Sequence, residues 1–188
     1  MKRRAEHFSD VAFTDTVKAI QQRKGSRAAY ARMEAGGGWE QSIGAELKAE
    51  IEAQTSVFLA TANAQGQPYI QHRGGPAGFM RVLDEHTIGF VDFAGNRQYI
   101  TQGNLEENSK AHLFLIDYTQ RRRIKLWGTA RIVEGDDALG LRRPRWRPHH
   151  ELSLLVCLND DAAVQDHEVE ARWGDGQAST AGGRLHLL

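Results

Sequence analysis

The stretch YIQHRGGPAGFMRVLDEHTIGFVDFAGNRQYITQGNLEEN, Tyr69–Asn108, decides how this chain reads. It opens on strand-like alternation ending in His72-Arg73-Gly74-Gly75, runs through a hairpin pattern, and reaches a helix start at Gly95-Asn96-Arg97-Gln98. Two basic, glycine-supported corners thus flank one hairpin, where a fold can bring both to a single anionic ligand. Arginine offers a planar fork of donors, and the first turn of a helix offers unpaired N–H groups. A phosphate-bearing cofactor is the ligand class this pattern fits.

Outward from that stretch, VFLATA from Val57, a turn at Asn63 to Gly66, and Pro68 to Arg73 predict a β-hairpin. Phe79 to Leu83 and Thr87 to Asp92 predict a second pair, and Gly95 to Glu107 a helix. Ala111 to Asp117 and Arg122 to Val133 read as strands around a tight turn, with Gly128 marking a bulge or bend. Upstream, three helices are expected: Thr14 to Lys24 closed by Gly25, Ser26 through Ala35, and one capped by Ser42 carrying Ile43, Leu47 and Ile51. Short antiparallel strands with a single intervening helix point to a small, mainly β barrel preceded by helices. The expected organisation is a helical extension over residues 1–55, a barrel domain over 56–158 whose last strand is supplied by Leu152 to Leu158, and an irregular tail over 159–188.

At 188 residues the chain suits one domain with a buried core. Lys plus Arg total 24 and Asp plus Glu total 24, so no global field favours nucleic acid or an anionic membrane. The run Arg121-Arg122-Arg123 with Lys125 lacks the aromatic platform of a nucleic-acid patch and reads as a solvated hairpin mouth. Cys157 is the single cysteine, which excludes an internal disulfide. His149-His150 lacks a third ligand for a metal, and a lone His72 on a strand reads as structural or exposed ahead of a proton donor. Trp127 reads as core. No apolar run approaches the ~18–20 residues that span a bilayer, and a cytoplasmic protein is expected.

The run from Phe58 to Val133, with its RGGP-G-F and GNRQY segments, resembles the pyridoxamine 5'-phosphate oxidase-like family of FMN-binding split-barrel proteins. The likeness extends back through GSRAAYARME and the GGW at Gly37 to Trp39. The resemblance implies a six-stranded antiparallel split barrel that forms a homodimer, with FMN in clefts between the subunits. It implies that Gln71, His72, Arg73 and Gly74 line the flavin, and that Asn96, Arg97 and Gln98 hold its phosphate or ribityl chain. Arg123 and Lys125 fall on the strand bordering the cleft. In such a protein the flavin carries the chemistry, which accounts for the absence of a catalytic triad in the sequence.

The function this implies is an FMN-dependent oxidoreductase acting on an unidentified small molecule, with NAD(P)H as a candidate electron donor. A flavin-storing protein, or a barrel kept as an interaction module without turnover, is the alternative. The terminal arginine motif of the vitamin B6 enzyme has no counterpart, so pyridoxamine phosphate is not the expected substrate. The similarity stops near Leu139, where an arginine- and glycine-rich sequence follows. A shift of reading frame there would leave the barrel without its native last strand and with an unpaired edge.

Overall fold

Local chemistry sets the first helices. In this computed structural model, residues 7–92, 97–134, 152–157 and 163–168 are described. Thr14 Oγ1 accepts from the Val17 N–H at 3.3 Å and opens α1 (Asp15–Lys24), which stops where Gly25 adopts φ +82°. Arg27, at the start of α2 (Arg27–Ala35), pairs with Glu34 near its end and donates to Gln21 of α1 at 2.8 Å. Glu34 is buried and also accepts from Ser9 Oγ at 3.1 Å. Burial alone would raise its pKa, but the bonds from Arg27 and Ser9 prevail and hold the carboxyl below the ordinary range.

α3 (Ala45–Ala53) begins three residues beyond the cap the sequence predicts at Ser42. The cap is Gly44, whose backbone is extended, and just before it the Ile43 N–H donates to Glu85 O at 2.8 Å. Ile43, Leu47 and Ile51 still face the core together, as their spacing predicts.

The six strands expected from the sequence are present as β1 (Ser56–Ala62), β2 (Pro68–Gly74), β3 (Met80–Asp84), β4 (Thr87–Asp92), β5 (Lys110–Asp117) and β6 (Arg122–Glu134). Two more follow, β7 (Leu152–Cys157) and β8 (Ala163–Glu168), the second inside the stretch read as an irregular tail. The order is β2-β1-β5-β6-β7-β4-β3, with β8 also on β6 and every pairing antiparallel. This is the mainly β split-barrel architecture with N-terminal helices that the sequence implies. The last strand expected at Leu152 to Leu158 is β7, which lies between β4 and β6 where a shifted reading frame would have left an open edge; residues 135–151 lie outside the described residues.

Gly128 makes no bulge against β5, whose register with β6 runs unbroken from Lys110↔Thr129 to Asp117↔Arg122. On the other edge of β6 it stands where one partner gives way to another: β8 pairs with 122–127 and β7 with 129–134. Alternation turns Leu59, Leu113, Leu115, Ile124 and Leu126 to one buried face, against Ile51 of α3. Each such side chain contributes ~1.5–3 kcal/mol on burial. α3 is tied to β3 through both main-chain polar groups of Val82: its N–H donates to Glu52 Oε1 at 3.1 Å and its carbonyl accepts from Lys48 Nζ at 3.0 Å.

α4 (Ile100–Glu107) is shorter than the helix predicted from Gly95. Arg97 and Tyr99 have φ of +57° and +55°, a left-handed conformation that cannot propagate a helix, so the first turn waits until Ile100.

Packing explains one glycine of the Arg73-Gly74-Gly75 corner. A Cβ on Gly75 would lie 2.7 Å from Phe79 Cβ and 2.8 Å from its Cγ. Gly75→Ala is therefore expected to cost on the order of 1–3 kcal/mol, read as a lower urea midpoint. Phe79→Gly in the same chain removes both clashing atoms, so the double variant should lose less than the sum of the two single losses.

Candidate functional site

Strand parity divides the residues predicted to bind a cofactor. β1 and β2 pair with Val57 opposite Arg73, Leu59 opposite Gln71 and Phe58 opposite His72. Val57 and Leu59 are buried, so Gln71 and Arg73 stand on the interior face, while His72 stands on the other. On the interior face, Arg73 Nη2 donates to Thr101 Oγ1 at 3.5 Å, bringing the β2 corner to the first turn of α4. Asn104 Nδ2 donates to Thr61 Oγ1 at 3.0 Å, and Glu107 Oε2 accepts from the Ala64 N–H at 2.9 Å. α4 therefore runs along β1 with its N-terminal end at Arg73.

Arg97 and Gln98 are exposed and precede this helix rather than opening it. Arg97 lies four residues before Thr101, the residue to which Arg73 donates. Asn96, like Gly95, lies outside the described residues. Gly74 is close to its surroundings: a Cβ there would stand 3.2 Å from both Thr55 O and His72 Cε1.

The outer face gathers a different set. Arg123 lies opposite Ile116, Lys125 opposite Phe114, and Trp127 opposite His112. Phe58 packs on His72 with ring centroids 5.4 Å apart, and on Phe114 at 6.4 Å. Trp127 is sandwiched, with His112 at 4.6 Å and Trp39 stacked at 5.0 Å and 13°. Trp127 thus holds the N-terminal helices to the sheet. Burial, followed by the charge of Lys125, pushes the His112 imidazole down to about 4. Burial, followed by Arg123, lowers the Lys125 amine. His112 Nε2 and Arg123 Nε are buried with no hydrogen-bond partner among the described residues.

His112 is the residue sequence reasoning passed over. Its signal was present, as a polar side chain at an outward position of AHLFLID, but its aromatic partner appears only once the β5–β6 register is known. A cleft of about 630 Å³ opens at the same end of the sheet as Arg73, between α3, the start of β1 and the β5–β6 hairpin. Among the described residues no three His, Cys, Asp or Glu side chains form a metal-holding group, and His149 and His150 lie outside them. Among the same residues, no helix is long and apolar enough to cross a membrane.

A family model described as pyridoxamine 5'-phosphate oxidase matches residues 43–165, more than half of the chain. Among solved structures the chain is similar to HupZ of Group A Streptococcus, at 21% identity and a TM-score of 0.48, covering 65% of this chain and 93% of that one. It is similar to a Clostridium acetobutylicum protein related to general stress protein 26, of the pyridoxinephosphate oxidase family, at 16% identity and a TM-score of 0.45, covering 63% and 82%. HutZ, the heme storage protein of Vibrio cholerae, is similar at 18% identity and a TM-score of 0.43, covering 65% and 94%. No curated protein sequence matches.

The outer face titrates in a way that can be measured. The folded His112 holds its proton only below about pH 4, whereas free histidine titrates at 6.5. Between those values the unfolded chain binds the proton that the folded site refuses, so this histidine makes unfolding free energy fall as pH drops from 6.5 toward 4. The His112 ring protons should titrate near pH 4 by NMR, and His112→Phe should flatten that part of the urea-stability profile. A midpoint near 6.5 would contradict the burial described for this ring.

Proposed function

Because the chain belongs to the pyridoxamine 5'-phosphate oxidase family, we propose that it is an FMN-binding flavoprotein, an oxidoreductase acting on a small molecule. The observation that carries this reading is the bond from Arg73 to Thr101, which joins the β2 corner to the first turn of α4 just after Arg97. The donor set fits a phosphate-bearing ligand. Arg73 supplies a guanidinium fork held by Thr101, and Arg97 adds a second exposed cation. Left-handed residues at 97 and 99 turn the intervening backbone sharply, as in the concave amide nests that bind anions. Strained backbone of this kind, ~1–3 kcal/mol per residue, is concentrated in ligand-binding segments. Gln98 and Asn96 are the neutral donors of the same segment.

Bound FMN would supply hydride or electron transfer through its isoalloxazine ring. The protein's part is to bind and orient. Gln71, Arg73 and Gly74 do so from β2; His72, Arg123 and Lys125 belong to the opposite face of the same sheet. One ligand can meet both groups when a second copy brings its outer face to the first copy's corner, so the reading includes a homodimer. The half-buried Phe58 and Phe114, and the buried polar atoms of His112 and Arg123, support an outer face that receives a partner. NAD(P)H as electron donor and a cytoplasmic setting complete the proposal.

The test is the absorbance spectrum of the purified full chain after FMN is added and the excess removed by gel filtration. The expected result is retained flavin bands, with Arg73→Ala and Arg97→Ala each weakening retention about ten- to a hundredfold. That range corresponds to the ~1.5–3 kcal/mol of a hydrogen bond to a charged group. A colourless protein refutes the cofactor. Retained flavin without NAD(P)H oxidation identifies a carrier instead of an enzyme.

A further inference from the structure

We infer that the cleft between α3 and the β5–β6 hairpin is a binding site for a small neutral or cationic polar molecule, in addition to the anion-binding corner. Its volume, about 630 Å³, falls within the roughly 300–1,000 Å³ of small-molecule sites. Ala49 and Ala53 leave the helical wall open, because small side chains there fill little of the space. The wall is pinned in place by an ion pair from Arg122 at the start of β6 to Glu50 of α3. The site is therefore preformed by contacts far apart in sequence.

Charge sets the ligand class. Among the described residues, the charged side chains lining the cleft are Glu50, Asp117 and Arg122. Arg122 is engaged by Glu50, so the two cancel and an incoming anion meets a guanidinium that is already occupied. Among the described lining residues, Asp117 is then the charge left over. Its Oδ1 accepts from the N–H groups of Thr119 at 2.8 Å and Gln120 at 2.9 Å, which holds the carboxylate at the hairpin mouth. Arg121 and Arg123 are not among the lining residues. The remaining polar wall is neutral, chiefly Gln54, Ser56 and Gln120, able to donate and accept hydrogen bonds. Arg73 shares this end of the sheet but is likewise not among the lining residues. A surplus negative charge with neutral hydrogen-bonding walls favours an amine, amidine or amide over a carboxylate or phosphate.

Benzamidine, benzamide and benzoate test this, since they offer cationic, neutral and anionic groups on a ring of one size. The isotope-labelled full chain is titrated with each while the backbone amides of Thr119 and Gln120 are followed by NMR. Benzamidine should bind most tightly and benzamide next, with benzoate at least about tenfold weaker than benzamidine. Glu50→Gln removes one negative charge from the lining and should bring benzoate to within about threefold of benzamide. Asp117→Asn keeps an acceptor for the turn and should remove the advantage of benzamidine over benzamide. Benzoate binding as tightly as benzamidine to the unaltered protein, or no hairpin shift with any of the three, overturns the inference.

Discussion

β7 is wedged between β4 and β6, and the β3–β4 hairpin is hydrogen-bonded to the rest of the ladder through it. Leu152–Cys157 pairs on one side with Thr87–Asp92 and on the other with Thr129–Glu134. The hairpins β1–β2, β3–β4 and β5–β6 each join neighbours in sequence, and such contacts form with little loop-closure cost. β7 makes the longest-range pairing, because it returns across at least sixty residues to reach β4, further than the span between β1 and β5. The position of Met80, Ile88 and Phe90 in the core depends on that return. α3 gives the hairpin a second attachment that does not wait for it, through Glu52, Lys48 and Val82.

The pleat of the sheet then distributes chemistry. Consecutive residues of a strand point to opposite faces, so no two neighbours in Gln71-His72-Arg73 can serve one pocket of one subunit together. The interior face holds apolar side chains over most of its length and becomes polar at the end where Arg73 meets Thr101. The outer face is aromatic and basic along β5 and β6, and burial there weakens the hold of His112 and Lys125 on their protons. Trp39 stacked on Trp127 couples this face to the helices of the first forty residues. The N-terminal extension is thereby part of the environment of the basic strand.

What could be read from sequence was whatever local chemistry decides. Thr14 and Gly25 bound α1 because a side-chain acceptor and a left-handed glycine act within a few residues. The six strands through Glu134 were legible because their alternation is strong. α4 was not bounded correctly, since Arg97 and Tyr99 adopt left-handed backbone that residue type does not announce. β8 was missed because AVQDHE carries little apolar alternation, and the strand exists by pairing with the outer edge of β6. At the site, Arg73 and Arg97 stood out by charge and neighbouring glycines, although Gly75 proves to answer to Phe79. Period two alone would have separated His72 from Arg73. The cleft was beyond reach, because Glu50 and Arg122 meet across seventy-two residues.

The Val82 contacts have a consequence for association. β3 ends the strand order, and a strand in that position ordinarily offers bare N–H and C=O groups to any extended chain that drifts past. Here Glu52 and Lys48 already occupy both groups at the centre of β3. An intruding strand would have to displace two charged side chains before bonding to Val82. α3 thus acts as a guard against edge-to-edge polymerisation at the β3 margin of the sheet.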